Sequence, residues 1–298
     1  MRWVALGMAV PWCWYLVRDL GPAMQLVAFA LPLVVAAALL GLIVAAFDGK
    51  RITTVLVAIS VALFGWTTIM GPRSPQPSPP PRDPVRVAIL TTGDEPVDAQ
   101  TLSATVTRSR AEVVVVSSSS KRTREAAAAL KGFEGKLVHP PFVVLSRFPL
   151  EELSLPKGLA KDLTVRVKVR RPDDPFIVYG ATSGTTPLDA TLQAPTDPGR
   201  LLEAIAVEDL PVVLLGDLGI TDRSAQYREL TEVLRDAMRA GGSAGSTLVS
   251  PVWTPLLLRV DHVLTWASWC ARGGETFDVA GSEHLGVSVA VGACPTKG

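Results

Sequence analysis

Charge, cysteine, histidine and asparagine are all scarce in this chain of 298 residues. The formal net charge is +1 and only 19% of residues are charged. A near-neutral chain has no electrostatic footprint for nucleic acid, so phosphate polymers are not expected to bind by charge. Cys13, Cys270 and Cys294 are too few for a disulfide-dense scaffold. Histidine occurs only as His139, His262 and His284, and no Cys/His cluster has zinc spacing. Asparagine is absent, which excludes any site that depends on its side-chain amide. There is no Gly-rich loop before a lysine and no Gly-x-Ser-x-Gly elbow, which argues against P-loop and α/β-hydrolase chemistry. Apolar residues are abundant. They make up 48% of the chain, and the mean hydropathy is +0.32, too apolar for disorder and unusual for an ordinary soluble domain.

The apolar excess lies at the N-terminus, where residues 1–71 carry six charges: Arg2, Arg18, Asp19, Asp48, Lys50 and Arg51. Met24–Phe47 and Ile52–Met70 are free of charge and separated by Asp-Gly-Lys-Arg. Each is long enough for a helix across a ~30 Å hydrocarbon core, so together they read as a transmembrane hairpin. Trp3–Val17 is shorter and reads as a first span, with a re-entrant segment or a signal peptide as alternatives. The expectation is a membrane anchor over residues 1–70, with three transmembrane helices at about 3–20, 24–47 and 52–70. Lys50 and Arg51 in a short loop place that loop inside. The N-terminus is then inside and the rest of the chain on the extracytoplasmic face of the cell membrane. The spans contain no charge in their interiors, so a transport path has nothing to use.

Gly71–Pro84 has seven prolines in fourteen residues, predicting an extended linker of the polyproline type. Beyond it, strands and helices alternate over 85–298. Val85–Thr91, Glu112–Val116, Phe142–Leu145, Thr164–Val169, Pro175–Tyr179, Pro211–Leu215, Arg259–Thr265 and Gly286–Val291 read as strands. Asp98–Arg110, Arg122–Lys131, Arg200–Glu208 and Ser224–Ala240 read as helices, the last with Tyr227, Leu230, Val233, Leu234 and Met238 on one face. This mixture predicts one α/β (α+β) two-sheet sandwich domain.

Three segments join an apolar strand to an acid or an acid–histidine pair: Leu214–Gly219 (LLGDLG), Leu258–Leu264 (LRVDHVL) and Gly281–Leu285 (GSEHL). Carboxylates at strand ends can meet at a sheet edge and hold a hard divalent cation, with an imidazole to move a proton. The order of these segments, together with Val143–Leu150 (VVLSRFPL), resembles the endonuclease/exonuclease/phosphatase family of metal-dependent phosphoester hydrolases. The resemblance covers about 85–298 and implies that family's two-sheet sandwich. Carried over position by position, it makes Asp217, Asp261 and His284 the catalytic remnant, meeting at one rim. Asp217 and Glu283 would be the metal ligands if the site were active.

Several positions depart from the family pattern. The family's asparagine on the first strand falls at Thr91 or Thr92, and that of its Gly-Asp-x-Asn motif falls at Gly219. Its metal-binding glutamate falls at Ser117 or Ser118, its central histidine near Thr182 or Ser183, and its last aspartate at Glu283. His139 precedes the wrong strand to stand in for that histidine. The residues also allow a purely structural reading, with Asp217 capping a turn by bonding its own backbone and Asp261–His284 a buried pair. The departures imply a domain that is catalytically inactive and requires no cofactor. It would act as a binding or accessory subunit, with the lipid bilayer and other membrane-protein subunits as partners. The alternative is an active phosphoesterase using magnesium or manganese on phosphodiesters or phosphomonoesters at the membrane surface. If the strands carrying Asp261 and His284 both run away from the rim, Cys270 and Cys294 reach the opposite end together. They are then expected to form a disulfide, which an outward topology permits.

Overall fold

The computed structural model describes residues 22–46, 51–66, 69, 75–184, 198–243 and 245–295. Two helices come first, α1 (Pro22–Ala46) and α2 (Arg51–Gly65). They pack on each other, and a side chain at Gly65 would meet Val35. Side chains of α1 are described only within 29–43, and among the described residues no helix is long and apolar enough to cross a membrane. The expected transmembrane hairpin is therefore not shown. The first expected span, about 3–20, lies outside the described residues, as do Cys13, Arg18 and Lys50. Phe29 of α1 is buried among Leu248, Leu256, Leu258 and Val260 and stacks edge-on to Trp253 at 6.0 Å. This contact ties the helix pair to the C-terminal half of the chain.

The rest is a two-sheet sandwich. In chain order its elements are β1 (Val85–Thr92), α3 (Ala99–Ser109), β2 (Val113–Ser118), α4 (Lys121–Ala129), β3 (Gly135–His139), β4 (Phe142–Ser146), β5 (Leu150–Glu152), β6 (Thr164–Val169), β7 (Phe176–Thr182), α5 (Pro198–Ala206), β8 (Val212–Asp217), α6 (Ala225–Val233), β9 (Leu234–Asp236), α7 (Ala237–Ala240), β10 (Asp261–Trp266), β11 (Trp269–Asp278) and β12 (Leu285–Ala293). One sheet has the order β11-β12-β1-β2-β4-β3, the other β5-β6-β7-β8-β10-β9. The pairs β1–β2 and β7–β8 are parallel, and each is bridged by a helix.

Strand periodicity explains why unbroken apolar runs form the centre. Alternate residues face opposite sides, so a strand covered on both sides needs no polar positions. Val113 and Val115 of β2 lie between the sheets, while Val114 and Val116 lie under α3 and α4. On β8, Val213 and Leu215 face the other sheet, and Val212 and Leu214 face α5 and α6. Asp98, Ser120 and Ser224 cap α3, α4 and α6 by accepting backbone N–H bonds, satisfying donors that a helix start leaves open.

Two expectations are corrected. The single helix expected over Ser224–Ala240 is broken at Val233. Leu234–Asp236 instead pairs with β10 and covers its edge, which would otherwise expose an unpaired ladder. The Pro-rich linker is extended, but its described part does not stand free. Gln76 N–H donates to Arg239 O at 2.9 Å, Ser78 Oγ to Ala271 O at 3.0 Å, and Arg82 N–H to Ala293 O at 2.8 Å. The strand over the Gly-Gly of β11, with a bulge between Arg272 and Glu275, and the edge strands β3 and β5 are additions to the expected set.

Candidate functional site

The carboxyl ends of β1, β2, β7 and β8 meet at one rim of the sandwich. Register fixes this: Thr91 lies opposite Ser117, Thr182 opposite Asp217, and Asp217 opposite Asp261 at the start of antiparallel β10. His284 arrives just ahead of β12 through a bridge to Leu248. One potential ligand atom from each of Asp217, Asp261 and His284 lies within 4.8 Å of the others. Glu283 does not join them. It is exposed, and its carbonyl accepts from Val249 N–H at 2.9 Å.

Both oxygens of Asp261 are engaged. Thr91 Oγ1 donates to Oδ1 at 2.6 Å, and His284 Nδ1 lies 2.8 Å from Oδ2. Thr247 Oγ1 accepts from the N–H groups of Val260 and Asp261 and so fixes the start of β10. Ser282 Oγ donates to Thr91 O and accepts from His284 N–H, locking the imidazole's loop to β1. Asp217 Oδ1 accepts from Gly219 N–H at 3.1 Å, a bond to its own backbone two residues on; Gly219 has φ +65°, a left-handed turn that glycine adopts without strain. The remaining strand-end side chains are hydroxyls. Thr91, Thr92, Ser117, Ser118, Thr182 and Ser183 are all buried.

Burial raises the Asp217 carboxyl to about 6, against the pull of the His284 charge and with a further push from Asp261. Burial disfavours the charged His284 ring, but Asp261 outweighs it by charge and hydrogen bond, helped by Asp217 and Glu283, and lifts the imidazole to about 9. At neutral pH His284 is therefore an imidazolium whose Nδ1–H donates to Asp261. A raised folded-state value means that the native protein holds a proton the unfolded chain releases, so stability falls as pH climbs between the two values. For His284 that window runs from about 6.5 to about 9. Its side chain is 14% exposed, so some screening applies and the expected loss is on the order of 2 kcal/mol. Thermal midpoints across pH 6.5–9 are expected to decline in the wild type and stay flat in His284→Gln. The same decline in both would show that another group carries it.

Next to the rim, alternation along β10 turns His262 away from Asp261 into a second buried cluster. His262 Nε2–H donates to Ile220 O at 2.9 Å, and Nδ1 faces Arg259 Nη2 at 3.2 Å. Burial and the Arg259 charge lower this imidazole to about 4, so it is neutral. Arg259 pairs with Asp236, which also accepts from Tyr227 OH and from Arg239 N–H. Sequence reasoning missed Thr91 and Thr247 as partners of Asp261, and missed the Arg259–Asp236 pair. The available signal was the position of Arg259 inside an apolar strand run.

Residues 94–284 match the sequence profile of the Endonuclease/Exonuclease/phosphatase family. The chain belongs to that family. Solved structures share its fold. An endonuclease/exonuclease/phosphatase from Beutenbergia cavernae is 21% identical with a TM-score of 0.52, over 72% of each chain. Truncated Caenorhabditis elegans TDP2 is 12% identical with a TM-score of 0.54, over 71% of this chain and 98% of that one. A mannosyl-6-phosphatase from Bacteroides thetaiotaomicron is 12% identical with a TM-score of 0.50, over 70% and 99%. No curated protein matches the sequence. Asp217, Asp261 and His284, which meet at the rim, all lie within the matched residues.

Proposed function

We propose that this chain is a membrane-anchored, extracytoplasmic member of the family whose rim no longer performs metal-dependent hydrolysis, and that it serves as a binding or accessory subunit beside other membrane proteins. The observation that carries the reading is the donor set. Asp261 holds a hydrogen bond on each oxygen, from Thr91 and from His284. His284 turns Nδ1 to Asp261. The other strand ends supply neutral hydroxyls, so among the described residues Asp217 is the one rim carboxylate not held by a side-chain hydrogen bond. A hard divalent cation needs several oxygen ligands with charge to match, and these residues do not fit one. The anchor is supported by the charge-free sequence of Pro22–Ala46. The outward side is supported by the Cys270–Cys294 disulfide.

The second reading, an active phosphoesterase using magnesium or manganese, is favoured by the convergence of three potential ligand atoms within 4.8 Å. Calorimetry of the full-length protein in detergent, with magnesium and manganese, separates the two. It should be paired with hydrolysis assays on nitrophenyl phosphomonoester and phosphodiester substrates. The expected outcome is no saturable metal binding and no turnover above buffer. Tight binding with turnover that Asp217→Ala abolishes would overturn the inactive reading in favour of the second.

A further inference from the structure

At the end of the sandwich opposite the rim lies a concavity of about 430 Å³ whose lining includes Arg110, Lys131 and Arg147 around Val106, Leu130 and Phe133. It sits about 20 Å from Ser117, the length of β2 at ~3.3 Å per residue. Three short connections build it. Arg110 terminates α3 in a left-handed conformation at φ 53°. Lys131 and Gly132 (φ +89°) lead from α4 toward β3. Arg147 leaves β4, its N–H donating to Glu112 O at 2.8 Å.

The cations of this hollow are not matched by acids, unlike several arginines elsewhere. Arg86, Arg166, Arg170 and Arg259 each pair with a carboxylate, respectively Glu275, Glu208, Glu151 and Asp236. Arg110, Lys131 and Arg147 line one hollow, and among the described residues none of their charged groups has an ion pair or a side-chain hydrogen bond. The adjacent acid, Glu112, points its carboxylate at Arg86 N–H instead, at 3.1 Å. Helix carboxyl ends ordinarily repel anions. Here, however, the last carbonyls around the end of α4, those of Ala128 and Leu130, are taken by Lys136 Nζ. The hollow therefore presents three cations, two of them guanidinium forks suited to bidentate contact with phosphate oxygens, beside an apolar floor with one aromatic ring.

We propose that this hollow is a binding site for an organic phosphate, the phosphate held among Arg110, Lys131 and Arg147 and its apolar or aromatic part lying on Phe133, Val106 and Leu130. The site is separate from the rim, and its existence does not depend on whether the rim is active. The test uses full-length protein in detergent, titrated by calorimetry with inorganic phosphate, pyrophosphate and phenyl phosphate. Saturable binding is expected, with phenyl phosphate tighter than inorganic phosphate and all affinities falling as salt rises. Arg110→Gln and Arg147→Gln are each expected to weaken binding about tenfold or more, as loss of a charged hydrogen bond does. Lys161→Gln, an exposed cation outside the hollow, should leave binding unchanged. All three positions are exposed, so urea midpoints should not move and misfolding is controlled for. The proposal is overturned if none of the three probes saturates, or if Lys161→Gln loses as much affinity as the hollow variants. It is also overturned if an aspartate-rich peptide binds the hollow while the phosphates do not, which would assign it to an acidic protein partner.

Discussion

Replacing Asp236 with alanine is expected to destabilise the protein by about 3–5 kcal/mol, the usual result of stranding one member of a buried ion pair. Arg259 is 1% exposed and Asp236 is 5% exposed. Asp236 accepts from Arg259, from Tyr227 OH at 2.5 Å and from Arg239 N–H at 3.0 Å. Arg259 has few other partners. Its Nε and Nη1 find no hydrogen-bond partner, its Nη2 otherwise meets Tyr227 and the neutral His262 ring, and the buried Asp222 acts on it by charge alone. A guanidinium cannot shed its proton, so without Asp236 the charge stays buried without a hydrogen-bonded carboxylate. Urea unfolding of Asp236→Ala should show the loss. The double variant Asp236→Leu with Arg259→Met should recover most of it, because removing both charges removes the desolvation cost as well. A single variant that loses under 1 kcal/mol, or a double variant no better than the single, would contradict this account. The cluster also underlies the rim. Arg259 precedes Asp261 by two residues, and His262 holds Ile220 in the loop that follows Asp217.

How much of this was legible in the sequence depended on how directly a residue's pattern mirrors its environment. The valine run of β2 and the VVLL run of β8 announce strands buried on both faces, because nothing else tolerates so many apolar β-branched residues in sequence. Asp217, Asp261 and His284 stood out because an acid or an acid–histidine pair ending an apolar strand is a rare local contrast. Thr91 did not stand out, because threonine is an ordinary strand residue and its bond to Asp261 spans 170 positions. The break in the helix after Val233 was hidden for a similar reason. Tyr227, Leu230, Leu234 and Met238 keep a helical spacing, and all four are buried. Only the demand of the β10 edge turns Leu234–Asp236 into a strand. Asp236 and Arg259 could not be paired from sequence, because each stands singly and only the fold brings them together. The linker's composition foretold an extended chain but not its seat along α7, β11 and β12, since those hydrogen bonds, from backbone N–H groups and the Ser78 hydroxyl, reach partners more than 150 positions away.

Removing the Cys270–Cys294 bond by the double replacement Cys270→Ala with Cys294→Ala is expected to cost about 3 kcal/mol, the chain-entropy value for a loop of this size. The two half-cystines are 24 residues apart and their Cα atoms lie 4.9 Å from each other. Chain direction brings them together. β10 leaves the rim at Asp261 and ends at Trp266 in one sheet; the chain then crosses to the other sheet and starts β11 at Trp269. β12 leaves the rim after His284 and ends at Ala293, opposite Trp269. The bridge therefore closes the end of the hairpin farthest from Asp261 and His284, and Cys294 N–H donates to Ser268 O at 3.0 Å beside it. The urea midpoint of the double variant should fall. Counting thiols gives a second, independent reading. Denatured, unreduced protein should label at one cysteine per chain, Cys13. Three labelled cysteines would refute the bond in the native protein and with it the support for an oxidising, extracytoplasmic compartment, because such bonds do not persist where glutathione keeps thiols reduced.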